Sequence, residues 1–169
     1  MISIRRATQE DIPIIEAILL DAVTWLRQID QPLWGETEVR WPRLERNYTI
    51  PDFHIATLDG APAGCMALTD HDPWIWTEVA KGESLFIHKL AVVRSAAGQG
   101  VADALIEYAK QSCRERGIPA LRLDCAQDRE KLRAVYERNG FACVDERVIF
   151  EKYFTAFYVW EKCRNDRLG

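Results

Sequence analysis

The sequence predicts a mixed α/β fold, one central twisted sheet of about seven strands flanked by four helices. Three observations carry this expectation. Short apolar or alternating segments such as Ile2–Arg5, Phe53–Leu58 and Ser84–Val92 read as strands. Apolar residues at helical spacing fill Ile12–Trp25 and Gly100–Arg116. The two kinds of segment follow one another in the order β-α-α-β-β-β-α-β-α-β-β. At the centre stands a strand–helix–strand unit whose connection should be a right-handed parallel crossover.

Each element has its own local reason. Thr8 offers an N-cap, Asp11 stands three positions on as in a capping box, and Pro13 falls early in the first helix. That helix presents Ile15, Ile18, Leu19, Ala22, Val23 and Leu26 on one face. A turn-rich loop, Asp30–Gly35, leads to a less regular helix over Glu36–Arg46. The Asp59-Gly60 pair joins Phe53–Leu58 to Ala63–Leu68 as a hairpin. Thr69–Gly82 is a polar loop carrying Pro73, Trp74 and Trp76. The central helix should bury Val101, Leu105, Tyr108 and Ala109 and stop at Gly117, a natural C′ residue. Ala120–Cys125 forms the next strand, Asp128 caps a helix running to Arg138, and strands near Phe141–Ile149 and Tyr153–Glu161 finish the chain.

A length of 169 residues suits a single domain spanning residues 1–169, large enough for a real core. With 48% hydrophobic and 28% charged residues the composition is that of a globular protein. A net charge of −4 argues against a nucleic-acid partner held by a broad basic surface. The five cysteines are scattered and odd in number, so they read as reduced thiols, and the three histidines are too dispersed for a metal site. No signal-like N-terminus or membrane-length apolar run is present, which points to a cytoplasmic protein without a membrane partner.

The stretch richest in chemical information is Leu90-Ala91-Val92 followed by Ala97-Gly98-Gln99-Gly100-Val101-Ala102. A strand entering a glycine-rich turn that opens into a helix gathers backbone N–H groups and a positive helix end around one point, a cradle for phosphate. The turn has no Gly-Lys-Ser/Thr tail, which excludes a P-loop, and it lies too far along the chain for a Rossmann fingerprint.

Together with Leu123-Asp124-Cys125 and Tyr136-Glu137-Arg138-Asn139-Gly140-Phe141, these segments resemble the GNAT superfamily of acyl-CoA-dependent N-acetyltransferases. The element order matches over nearly the whole chain, most specifically from Leu85 to Phe141. The family's Gln/Arg-x-x-Gly-x-Gly/Ala signature falls on Ala97 to Ala102, with its end kept as Gly100-Val101-Ala102 and its leading side chain replaced by Ala97; Arg94 or Gln99 are the candidates to compensate. The resemblance implies that backbone groups of Leu90, Ala91 and Val92 hold the acetyl and pantetheine arm of acetyl-CoA in a splayed strand. It also implies that N–H groups from Gly98 to Ala102 bind the pyrophosphate. Acetyl-CoA is then a co-substrate, and no metal is involved.

Transfer to an amine needs a route for the amine's proton, a proton for the leaving thiolate and a donor to the carbonyl oxygen. The resemblance implies that the last falls to a strand N–H, that of Val92. Tyr136 occupies the family's general-acid position in Tyr-x-x-x-Gly-Phe, although a tyrosine packing the last helix on the sheet would give the same Leu132/Val135/Tyr136 spacing. His88 lies four residues before Val92, on the same face if the strand alternates regularly, and fits a water-mediated base; a structural histidine is the alternative. Glu83 is a weaker candidate, and the glutamate of histone-type members would fall at Phe86. Arg129 stands where many relatives carry a pantetheine-contacting asparagine; it either reaches a CoA phosphate or carbonyl or faces solvent.

Trp25, Trp34 and Trp74, with Trp76 and the carboxylates Asp30, Glu36, Asp70 and Asp72, are the expected walls of an acceptor site, suited to a cationic amine with an apolar body. Ordinary core roles are the alternative for each tryptophan. The expected acceptor is a primary amine of a small molecule, amino acid or peptide, and a homodimer is left open. The competing function is a catalytically silent acyl-CoA-binding or sensing domain.

Overall fold

The structure, a computed structural model, describes residues 1–162; Cys163 lies outside the described residues. In chain order the elements are β1 (Ile2–Arg6), α1 (Ile12–Gln28), α2 (Trp41–Leu44), β2 (Phe53–Leu58), β3 (Ala61–Thr69), β4 (Ser84–Val92), α3 (Val101–Arg116), β5 (Ala120–Ala126), α4 (Glu130–Arg138), β6 (Ala142–Ile149) and β7 (Tyr153–Glu161). The hydrogen-bonded order is β1-β2-β3-β4-β5-β7-β6, a mixed sheet in which β4 and β5 are parallel. The expected parallel pairing of these two strands is therefore present. Two compact units make up the chain, Met1–Leu68 with His88–Leu105 and Thr69–Ile87 with Ile106–Gly169.

In the first unit β1, β2 and β3 run antiparallel in sequence. The Asp59-Gly60 turn has φ of 50° and 85°, the left-handed pair that a two-residue hairpin requires. A buried carboxylate fixes the entry to α1. Asp11 accepts both guanidinium N–H groups of Arg5 at 2.7 and 2.8 Å and the Thr8 backbone N–H at 2.8 Å. From there α1 buries Ile15, Ile18, Leu19, Val23 and Leu26. Its face packs in one apolar cluster with Phe53, Ile55, Cys65 and Ala91.

The helix expected over Glu36–Arg46 is broken. A 3-10 turn at Thr37–Val39 is followed by extended Arg40 and the single-turn α2. The reason is tertiary: Glu16 on α1 accepts the Trp41 backbone N–H at 2.7 Å and pairs with Arg40 at 3.2 Å. That anchor holds the chain where Pro42, lacking an N–H, can enter only as a first-turn residue.

In the second unit the β4–β5 ladder covers Ser84–Phe86 against Ala120–Arg122, and β7 pairs antiparallel with both β5 and β6. Trp76 is a core residue, 2% exposed, set edge-on to Phe157 at 5.0 Å and beside Phe86. The central helix ends as expected at Gly117 (φ 66°), where the Ile118 N–H returns to the Cys113 carbonyl at 2.9 Å. Its buried stripe is completed by Ile106 and Cys113, whereas Tyr108 is half-buried. Asp128 makes no side-chain cap: α4 begins at Glu130 after Arg129 at φ −82°, ψ 66°, and the Glu130 N–H takes the Asp128 carbonyl instead.

Candidate active site

The C-terminal half of β4 is shaped by one backbone irregularity. Lys89 has φ of 52°, left-handed in the middle of a strand. Such a residue breaks the period-two alternation, as a bulge does. The argument that His88 and Val92 share a face by alternation therefore fails. Adjacent residues turn toward a common neighbour instead. The His88 ring lies 5.7 Å from that of Tyr48, and Lys89 lines a cleft with the same tyrosine. The Lys89 ammonium also sits 4.7 Å above the Trp34 ring.

Gly64 on β3 lets the backbone of β4 come close. A Cβ there would meet the Ala91 carbonyl oxygen at 2.8 Å and a Val101 methyl at 2.9 Å. Beyond β4, a short turn at Arg94–Ala96 leads to exposed Ala97, Gly98, Gln99 and Gly100. Gly98 and Gly100 have φ of 76° and 84°, and a Cβ on Gly98 would meet nothing within 4 Å. Left-handed backbone, rather than crowding within the chain, is what demands glycine at that position. The Ala104 N–H returns to the Gly100 carbonyl at 3.0 Å, so the N–H groups of Val101 and Ala102 belong to the opening turn of α3.

Both side chains named as candidates to replace the one missing at Ala97 have partners within the chain. The Gln99 amide donates back to the Ser95 carbonyl at 3.2 Å. The Arg94 guanidinium lies 3.8 Å over the Trp25 ring, and the Arg94 N–H donates to Asp21 at 2.7 Å. Trp25 and Trp34, both half-buried, thus each carry a cation of the chain on one face. Three of the four carboxylates expected beside an acceptor are also engaged: Glu36 pairs with Arg27 at 3.1 Å and Asp70 with Lys81 at 3.1 Å. Asp72 accepts the backbone N–H groups of Trp74 and Ile75.

A cleft of about 60 Å³ opens in the first unit, lined by Glu38, Arg43, Leu44, Asn47, Tyr48 and Lys89. Sequence reasoning passed over these residues. The one signal available was a lysine inside the apolar run Leu85–Val92.

In the second unit Tyr136 is 5% exposed, with the rings of Tyr158 and Phe141 at 5.8 and 6.1 Å. Burial first, then the neighbouring Cys125 and Asp124, hold its phenol far above the ordinary tyrosine range, while the charge of Arg129 acts in the opposite sense. The group is a phenol, never a phenolate, near neutral pH. Tyr158 is fixed in turn: its hydroxyl accepts from Arg133 Nε at 2.7 Å and donates to Glu137 at 2.9 Å. Arg129 is half-buried at the head of α4, and Trp74 stands 68% exposed on the loop before β4. Glu83, also exposed, precedes β4. Among the described residues no group of three or more His, Cys, Asp or Glu could hold a metal ion, and no helix is long and apolar enough to cross a membrane.

The model of the acetyltransferase (GNAT) family matches residues 20–141. The chain is similar to the uncharacterized N-acetyltransferase YesJ of Bacillus subtilis (strain 168), at 26% identity over 160 residues and 89% of each chain. Its fold is that of a GNAT-family acetyltransferase from Listeria monocytogenes 4b F2365, at TM-score 0.75 and 21% identity over 95% of this chain and 94% of that one. It is also that of N-acetylglutamate synthase from Neisseria gonorrhoeae, solved with coenzyme A and N-acetyl-glutamate. There the TM-score is 0.67 at 23% identity, covering 95% of this chain and 35% of that one. With the family matched across most of its length, the chain belongs to the GNAT acetyltransferases and is an acyl-CoA-dependent N-acetyltransferase.

Proposed function

We propose that this chain transfers the acetyl group of acetyl-CoA directly to a primary amine of a small molecule, amino acid or peptide, within a ternary complex. The observation that carries the reading is the left-handed turn at Gly98 and Gly100 leading into the N-terminus of α3, built to present N–H groups to a pyrophosphate. Leu90, Ala91 and Val92 hold the pantetheine and acetyl groups by their backbone. In support, they lie beyond both the Ser84–Phe86 ladder and the irregularity at Lys89. Over 35% of its chain the Neisseria protein, solved with coenzyme A, shares this fold.

The neutral amine attacks the thioester carbonyl, a C–N bond forms, and the C–S bond breaks as the tetrahedral intermediate collapses. The Val92 N–H stabilises the oxyanion. His88 accepts the proton lost by nitrogen through water, and Tyr136 gives its proton to the departing sulfur, so one proton leaves the amine and one reaches CoA. Burial keeps the phenol protonated near neutral pH, so its O–H is available to hydrogen-bond the departing sulfur. Burial pushes the thiols of Cys65 and Cys125 up to about 12 and that of Cys113 up to about 11, so none of these three suits an acetyl-cysteine intermediate. Arg129 contributes positive charge near Tyr136.

The test is thiol release from acetyl-CoA by the purified chain across an amine panel, beside calorimetric titration of acetyl-CoA. Turnover with at least one amine is expected. Tight binding without transfer to any amine would return the silent sensing domain. In a His88→Gln variant the acidic limb of the pH–rate profile should disappear; a retained limb assigns the base elsewhere.

A further inference from the structure

Resting on the acetyl-transfer reading above, we infer that the acceptor amine carries a carboxylate, received by Arg43 and Lys89 in the cleft beside β4. For a cationic acceptor without an acid group, two of the expected aromatic walls are already taken. The rings of Trp25 and Trp34 each hold a chain cation, at 3.8 and 4.7 Å, and each cation repels a second one nearby. The cleft itself offers two cations against one carboxylate. That carboxylate, Glu38, folds back over the loop, with Oε1 3.3 Å from where a Gly35 Cβ would stand.

Arg43 differs from its neighbours. Arg27 is paired with Glu36 and Arg40 with Glu16, whereas Arg43 has no ion-pair partner among the described residues. Lys89 is placed by a left-handed backbone that a lysine adopts only where its surroundings impose it. The Tyr48 hydroxyl and Asn47 amide add neutral hydrogen-bonding groups to the same lining. The cleft's volume of about 60 Å³ has room for a few waters, the space of a head group rather than a whole substrate. Lys89 immediately precedes Leu90, whose backbone holds the acetyl arm in the proposed complex. A carboxylate bound here therefore leaves its amine a short reach from the thioester, as in an α-amino acid.

The experiment compares α-amino acids with their own carboxamides as acceptors in the thiol-release assay. The amide's amine is the less basic of each pair and has the advantage in solution, so preference for the acid must come from the protein. A charge-assisted pair predicts that the acid exceeds its amide in kcat/KM by about 10-fold or more. Arg43→Gln and Lys89→Gln should each collapse that ratio toward unity through KM, Arg43→Lys should keep most of it, and raised salt should erode it. Arg43 is exposed, so its variants test the idea even if Lys89→Gln fails to fold. Amides used as well as acids, or a ratio unmoved by Arg43→Gln, overturns the acceptor assignment and leaves acetyl transfer standing. Transfer to no amine at all overturns both.

Discussion

The residues given roles in the two units differ in physical kind. In the first unit the relevant atoms are backbone groups in unusual conformations: Lys89 at φ 52°, Gly98 at 76° and Gly100 at 84°, with Gly64 allowing β4 to approach. In the second the relevant atom is a side-chain hydroxyl whose properties come from burial: Tyr136 among Tyr158, Phe141 and Cys125. A backbone site tolerates many side chains so long as φ is kept. A side-chain site tolerates many backbones so long as the group and its surroundings survive. Substitutions should separate the two.

The largest effect on chemistry is expected at Tyr136. Changing it to phenylalanine keeps the packed ring and removes the proton, so turnover should fall by about 100-fold or more, with acetyl-CoA affinity by calorimetry within twofold. An unchanged rate would make Tyr136 a packing residue and erase the contrast. Gly64→Ala is the strongest challenge to the first unit: a methyl 2.8 Å from the Ala91 carbonyl must push strands apart. A loss of about 1–3 kcal/mol in chemical denaturation should result, together with weaker acetyl-CoA binding. Gly98→Ala meets no atom, so its cost is that of a left-handed alanine, about 1–2 kcal/mol. KM for acetyl-CoA should rise more than kcat falls; a Tm and KM equal to wild type would show that the turn's conformation is not required.

A smaller effect reads the electrostatics at the start of α1. Arg5, with the Thr8 N–H, holds the Asp11 carboxyl far below its ordinary range. Its folded value lies below its unfolded one, so its contribution is complete above about pH 4 and is lost as pH falls toward the folded value. Asp11→Asn should lower stability by about 1–2 kcal/mol at neutral pH, and the gap from wild type should close in acid melts. His54 carries the same sign with respect to pH for a different cause. Burial lowers its pKa, so stability should decline as pH drops below about 6.5, where the unfolded imidazole takes up a proton. Replacing it with glutamine should flatten that decline.

The glycine turn, the strand feeding it and the Tyr-x-x-x-Gly-Phe run were readable because each rests on local chemistry. Positive φ selects glycine, alternation or an apolar block marks a strand, and residues at helical spacing share a face. The break in the helix expected over Glu36–Arg46 was not readable, because it depends on Glu16, distant in sequence, capturing the Trp41 N–H. The side-chain partners of Trp25 and Trp34 were hidden for the same reason. Arg94 and Lys89 reach them only once α1 and its loop have folded against the end of β4. Aromatic walls that looked open to a cationic acceptor already carry cations.

The sequence by itself determined the element order and the position of the glycine turn, since these follow from residue type and short-range spacing; the proton donor proposed for the thiolate came from the family resemblance. Tertiary structure alone decided which way the residues around that turn point. The irregularity at Lys89 overturned the alternation linking His88 to Val92, and it carried a lysine into a cleft with Arg43. A left-handed residue within a strand is imposed by its surroundings, and a cleft is a property of what the chain leaves unfilled. Neither is written in the spacing of residues along one segment.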